Sequence, residues 1–457
     1  MICSITPQQE MPSKILVHKT QLGNAIKANN MNIKQKTSIF LVSVLASVVL
    51  FSANFQAVEL IFDDHQYSFQ LLRTMGYSST GGADIAECLR TAYRIEESNN
   101  ESWHREWTDT AERLEKAADK FLAGGHEQSA KEVYFRCSNY YRAAGFFLVS
   151  DPEDPRILET YRKSQDCFQK GARFSKHPIK TVKIPFEGTT LPGYLLLADD
   201  TETKRPLIII HSGFDGTAEE LYFEIGAIAV ERGYNCLLFE GPGQGLVIRD
   251  QKIPFRPNWE SVVTPIVDFA LELPQVDPDR IGLIGISFGG YFAPRAAAYE
   301  HRLKVCVANG GIYDFYENMI RKFPPDTEKI VVDHDASLQF DKETVEIMKQ
   351  NVDIEFFFAN GMYTFGTKSP SELIRMLKPY NMRDVAKKIQ CTMLVVDSEG
   401  DQDLPGQAAE LYEALECPKE FMLFTEQEGA EEHCQMGAVM ISGERILNWL
   451  DDNLREK

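Results

Sequence analysis

Three residues far apart in the chain have the types and the settings that acyl transfer requires. Ser287 stands in Gly285-Ile286-Ser287-Phe288-Gly289, with an apolar run, Ile281 to Ile286, before it and a helix-like run, Phe292 to Ala298, after it. Strand, sharp turn and helix with a serine at the tip make a nucleophile elbow. The glycines let strand and helix approach, and the turn lifts the hydroxyl clear of the sheet edge. A tight βα turn without chemistry has the same five-residue pattern, so the partners decide. A serine hydroxyl is a weak nucleophile that needs a base, and the base needs an orienting carboxylate. Beyond Ser287, His433 falls in a loop after a late strand, within Gly429-Ala430-Glu431-Glu432-His433-Cys434, whereas His301 falls at a helix end and His334 in a long insertion. After the apolar run Met393 to Val396 comes Asp397-Ser398-Glu399-Gly400-Asp401-Gln402-Asp403-Leu404-Pro405. Asp401 has the Asp-x-x-apolar-Pro spacing expected of the acid, and Asp403 is its near alternative.

Acyl transfer also needs hydrogen-bond donors where negative charge develops. One is the backbone N–H of Phe288, next after the serine. The second is expected from the turn His211-Ser212-Gly213-Phe214-Asp215-Gly216, and Phe214 is the residue selected. The run Gly241-Pro242-Gly243-Gln244-Gly245 is not Gly-x-Gly-x-x-Gly and reads as a loop at the pocket rim rather than a nucleotide site. Cleavage of a C–C bond would further need a proton for the leaving carbon. Glu317 and Asp314, in Tyr313-Asp314-Phe315-Tyr316-Glu317, are the acids expected near the substrate; a helix cap and a solvated first-turn acid are the alternative reading. This chemistry calls for no metal and no organic cofactor.

The elements that must position these residues are legible from periodicity. From 82 to 175 the pattern is helical: Ala111, Leu114, Ala118 and Phe121 recur at three and four, and Gly124-Gly125 stops that helix. A third helix is predicted from Glu127 to Leu148, and a fourth from Asp154-Pro155 to about Ser175. At Ile179 the period changes. A hairpin of Val182 to Phe186 with Gly193 to Leu197 is followed by apolar runs at 207–210, 236–239, 281–286, 305–308, 393–396 and 421–424, most of them separated by helix-length segments. Such alternation predicts an α/β fold with a mostly parallel eight-stranded sheet covered on both faces. The connection from Tyr313 to Lys388 is oversized and contains Phe356-Phe357-Phe358, Met362, Tyr363 and Phe365, as expected of a lid. The expected organisation is a leader over 1–57, a helical cap domain over 58–178, core over 179–312, a lid over 313–388 and core again over 389–457. Trp103, Trp107, Tyr140 and Tyr141 from the helices, with Phe356 to Phe358 and Tyr363 from the lid, are expected to line an apolar pocket; core packing is the competing reading for the helical aromatics.

Composition bounds the rest. The 457 residues are 44% apolar and 25% charged with a net charge of −19, so the chain is globular and lacks the clustered basic surface that nucleic acid requires. Nine scattered cysteines without a Cys-x-x-Cys pair form neither a zinc site nor a disulfide framework. Lys34 and Lys36 precede an apolar run over 39–53, which resembles an export signal or membrane anchor, with Met31 as a second candidate start. Location is therefore expected to be exported or membrane-anchored through that segment, and otherwise cytoplasmic. The expected partner is a small-molecule substrate, and a homodimer is compatible with the sequence.

With these residues in hand, the chain resembles the α/β-hydrolases, and more narrowly the family of 2,6-dihydroxypseudooxynicotine hydrolase and the fungal polyketide-shortening hydrolases. The resemblance runs from about Tyr67 to the C-terminus. Its specific phrases are Ser102-Trp103, Glu106-Trp107, Ser138-Asn139-Tyr140-Tyr141-Arg142-Ala143, Phe214-Asp215-Gly216, the 241–245 loop and Glu432-His433-Cys434-Gln435. It implies Ser287, Asp401 and His433 as triad, helices closing over the pocket, and cleavage of C–C bonds next to a ketone, with esterases and peptidases among the relatives. Two rivals remain: an acyltransferase using an alcohol acceptor, and a silent binding protein that kept the fold.

Overall fold

The computed structural model describes residues 60–454. The leader over 39–53 lies outside them. Among the described residues no helix is long and apolar enough to cross a membrane.

Five helices lead: α1 His65–Gly76, α2 Ile85–Ala92, α3 Asn100–Ala123, α4 Glu127–Ala144 and α5 Arg156–Ala172. Asp64, Asp84 and Asn99 cap the first three by accepting N–H groups of the first turn, a contribution of about 1 kcal/mol each. Helix α4 stops four residues short of the predicted Leu148. At Gly145 the chain leaves the α-helix and continues as the 3₁₀ turn Phe146–Ser150, whose Phe146 and Phe147 join the core of the N-terminal helices.

Eight strands follow: β1 Ile179–Phe186, β2 Thr189–Leu196, β3 Arg205–His211, β4 Asn235–Phe239, β5 Val276–Ile286, β6 Val305–Asn309, β7 Thr392–Ser398 and β8 Lys419–Phe424. They form one sheet in the order β1-β2-β4-β3-β5-β6-β7-β8. The β1–β2 and β2–β4 pairs are antiparallel and all others parallel. A two-residue turn joins β1 to β2, with Glu187 and Gly188 both at positive φ, the backbone that matches strand twist. The middle strands are apolar on both sides because both faces are covered. One face packs on the helices Glu260–Leu271 and Gly289–Ala297, the other on the 218–231 stretch and the C-terminal helix Val439–Leu454. Within 218–231 a π-turn, Tyr222–Gly226, interrupts the α-helix.

Five helices fill the connection from β6 to β7: Phe315–Ile320, Thr327–Ile330, His334–Met348, Val352–Phe365 and Pro370–Met376. Helix Val352–Phe365 leans on the N-terminal helices. Its Val352 and Phe356 are buried in their core, the His65 ring meets Asp353 at 3.2 Å, and Asn100 donates to Glu355 at 3.2 Å.

Candidate active site

Strand β5 runs straight into Ser287, whose φ of +62° is the left-handed backbone of a strained turn. The elbow is tight enough to dictate its glycines. A Cβ on Gly285 would lie 2.1 Å from the Gly289 carbonyl oxygen, and one on Gly290 would lie 2.0 Å from that of Gly310. Helix Gly289–Ala297 therefore starts almost in contact with the strand it leaves, and the serine is held at the apex.

His433 Nε2 lies 2.9 Å from Ser287 Oγ, and His433 Nδ1 lies 2.7 Å from Asp401 Oδ2. The other oxygen of Asp401 accepts the N–H groups of Asp403 (2.9 Å) and Leu404 (3.0 Å), which leaves the acid almost fully buried. Asp403 enters through its backbone. Besides that N–H, its carbonyl accepts from Asn318 and Lys322, so it braces the turn that holds Asp401. His433 opens the short 3₁₀ turn His433–Gln435, in which Cys434 and Gln435 are both at positive φ. Gln435 secures that turn by donating to Asn309 Oδ1 and Ser398 Oγ, both at 3.0 Å, at the ends of β6 and β7. Burial opposes charge on His433, but the carboxylate of Asp401 outweighs it and holds the imidazole pKa above its ordinary value. Burial likewise opposes charge on Asp401, and the histidine reverses that to hold the carboxyl below its ordinary range.

The N–H groups of Phe214 and Phe288 meet no backbone or side-chain acceptor among the described residues. They come from adjoining turns. A Cβ on Gly213 would lie 2.3 Å from the Phe288 nitrogen, so only glycine allows the β3 turn to rest on the elbow. From the β6–β7 insertion, Asn360 donates to the Phe214 carbonyl at 3.0 Å.

For Asp314 and Glu317 the structure shows the alternative roles, a helix cap and a first-turn acid paired with an arginine. Asp314 is buried as the cap of Phe315–Ile320, accepting from the Glu317 N–H at 2.9 Å, and its carboxylate binds Arg383 at 2.7 Å. Glu317 pairs with the same arginine at 3.1 Å. One expectation needs correction: Trp103, Trp107, Tyr140 and Tyr141 do not line a pocket, since all are at most 1% exposed and packed among the N-terminal helices, with Trp103 Nε1 donating to Ala143. The aromatic wall beside the serine is different. The Phe214 ring lies 6.5 Å from Phe288, 6.2 Å from Phe356 and 6.2 Å from Phe357, and Phe356 stacks on Phe146 at 4.5 Å. The sequence pattern missed Phe146 because the end of α4, four residues early, was not readable from apolar spacing.

Ligating atoms of Asp401, Asp403 and His433 lie within 4.8 Å of one another. Both ring nitrogens are already engaged by Asp401 and Ser287, so a cation there would have to displace that chain. The eight described cysteines are free thiols; Cys434 lies 3.5 Å from His433 Nε2.

Comparison with known proteins agrees with this architecture. The family model described as esterase FrsA-like matches residues 90–332. Hydrolase LUC6 of Fusarium sp is 33% identical over 86% of this chain and 97% of its own length. The 20-hydroxy-prefusarin hydrolase FUS2 of Gibberella moniliformis is 31% identical over 87% and 98%. The crystal structure of 2,6-dihydroxy-pseudo-oxynicotine hydrolase superposes with a TM-score of 0.64 at 22% identity, covering 83% of this chain and 95% of that one, and shares the fold. A hydrolase fold, hydrolase relatives along nearly their full length and a family model over more than half the chain lead to one conclusion: the chain is a hydrolase of the FrsA-like esterase family, within the α/β-hydrolases.

Proposed function

We propose that the protein is a serine hydrolase that transfers the acyl group of a small aromatic carbonyl compound to water, with Ser287, His433 and Asp401 as its triad. The observation that carries this reading is the continuous line from Asp401 through His433 to Ser287 at 2.7 and 2.9 Å. As Ser287 Oγ adds to the carbonyl, His433 Nε2 takes its proton and Asp401 stabilises the imidazolium. The N–H groups of Phe214 and Phe288 hold the oxyanion. Collapse expels the leaving group, an enolate carbon or an alkoxide, which receives the proton from His433. Water then adds to the acyl-serine with His433 again as base, and the acid product departs.

The aromatic wall of Phe146, Phe214, Phe356 and Phe357 favours a ring-bearing ketone or aryl ester over a peptide, whose amides would lose their hydrogen bonds there. C–C cleavage next to a ketone stands first and ester cleavage second. A fluorophosphonate probe should label the wild type and not Ser287→Ala; an unlabelled wild type would favour the silent binding protein. A panel of aryl β-diketones, aryl esters and peptide amides tests the substrate class, and turnover of peptides alone would overturn it. Ester products formed on adding an alcohol, at the expense of the acid, would mark an acyltransferase instead.

A further inference from the structure

The 241–245 loop, read from the sequence as a pocket rim, contains a side chain that reaches under the oxyanion turn. Gln244 is 3% exposed. Its Oε1 accepts the backbone N–H of Gly241 at 2.9 Å, and its Nε2 donates to the carbonyls of Ser212 at 2.5 Å and Gly213 at 3.3 Å. The orientation of this amide is dictated by its partners. A backbone N–H can only donate and two carbonyls can only accept, so Oε1 must face Gly241 and Nε2 must face the turn. The loop around it is rigidly seated. A Cβ on Gly241 would strike the Trp259 ring at 2.6 Å, and the Glu240 carboxylate beneath accepts the N–H groups of Ala218 (3.0 Å) and Leu246 (2.7 Å).

The Gly213 carbonyl and the Phe214 N–H belong to one planar trans peptide and point in opposite directions. A donor that fixes the carbonyl on one side therefore fixes the N–H on the other, toward the elbow that Gly213 touches. His211 supports the same turn, its Nδ1 lying 2.9 Å from the Ser212 carbonyl; burial pushes that imidazole down to about 4, so it is a neutral donor.

We infer that Gln244 is a positioning residue of the oxyanion hole: its side-chain amide orients the Gly213–Phe214 peptide so that the Phe214 N–H meets the charge developing on the substrate oxygen. The inference rests on the serine-hydrolase reading. It also explains why a glutamine, with an acceptor and two donors on one flat group, stands where a loop needs all three, and why the group is neutral. A lysine or arginine would offer no acceptor to Gly241, and a carboxylate would offer no donor to the carbonyls.

The test uses p-nitrophenyl acetate as substrate and an aryl trifluoromethyl ketone as oxyanion mimic, because the ketone becomes a serine-bound hemiketal oxyanion. Gln244→Met keeps the bulk and removes the donors. It should lower kcat about 10- to 10²-fold, less than or equal to the loss of a whole oxyanion donor, with KM within about twofold. The inhibition constant of the ketone should rise by a similar factor. Unchanged kcat and ketone affinity in a folded variant, or a rise in KM alone, would overturn the inference. Should Gln244→Met not fold, Gln244→Glu is read in its place. It keeps the acceptor for Gly241 and can donate only when protonated, so its kcat relative to wild type should fall as pH rises from 5 to 9; a flat ratio would overturn the inference. The serine reading fails separately, by retained turnover in Ser287→Ala or by a wild type that the fluorophosphonate does not label.

Discussion

At the scale of single residues, everything turns on one imidazole that is bonded on both sides. With its Nδ1 at 2.7 Å from a buried carboxylate, His433 has only Nε2 free to exchange a proton with Ser287. Ser287→Ala and His433→Ala should each lower kcat by about 10⁴- to 10⁶-fold while melting temperature and circular dichroism stay close to wild type; near-normal turnover in either would remove the triad. Asp401→Asn should be far more harmful than Asp403→Asn, since Asp403 braces this turn through its N–H and carbonyl, which asparagine retains. Because Asp401 raises the imidazole pKa, the acid limb of kcat/KM should lie above 6.5 and move down in Asp401→Asn, provided enough rate survives to trace it. The sequence made Ser287, His433 and Asp401 readable because each follows an apolar strand in a turn of recognisable composition. It could not separate a capping acid from a catalytic one: Asp314 and Glu317 have the right chemistry and stand after the right strand, and only the position of Arg383 shows where their charge is spent.

Between elements, the N-terminal helices are fastened to the sheet by buried charge. Arg73 on α1 donates through Nε and Nη2 to Glu220 at 2.7 and 2.6 Å and through Nη1 to Asp215 at 2.9 Å, and Tyr77 donates to the same glutamate at 2.9 Å. Removing one partner of such a pair strands the other, so Arg73→Ala should cost about 3 to 5 kcal/mol in chemical denaturation. A loss under about 1 kcal/mol would show that Arg142, 3.4 Å from the same glutamate, and Tyr77 suffice without Arg73. One turn further on, at the π-turn, burial and the neighbouring Glu220 push Glu224 up to about 8, although Arg73 and His433 oppose this. A carboxyl that ionises near 4.5 when unfolded and near 8 when folded binds its proton more tightly in the folded state. Stability should accordingly fall as pH rises between those values, and Glu224→Gln should flatten that decline; an equally steep decline in the variant would assign it elsewhere. Strand positions along the chain and helix lengths followed from periodicity with errors of a few residues. The clamp did not, because pairing Arg73 with Glu220 across 147 positions depends on the packing of α1 against the 218–231 stretch.

For the molecule as a whole, the triad residues and the supports named above lie within residues 60–454. A chain beginning near Glu59 should therefore be soluble and hydrolyse p-nitrophenyl acetate at the full-length rate; an inactive or insoluble product would give the preceding segment a part in the fold. We propose that this segment serves export or anchoring. The three parts of the molecule meet at one peptide. Phe214 belongs to the core, its ring faces Phe356 of the insertion, which in turn stacks on Phe146 of the helices, and its carbonyl is held by Asn360. That last bond links traffic to chemistry. If the insertion swings outward to admit a bulky substrate, Asn360 leaves with it and the turn bearing the Phe214 N–H slackens. Admission and reaction then cannot both be at their best in one conformation. On that condition the enzyme would work as an airlock, reactive toward a captured molecule and sluggish toward one that arrives while the door is open.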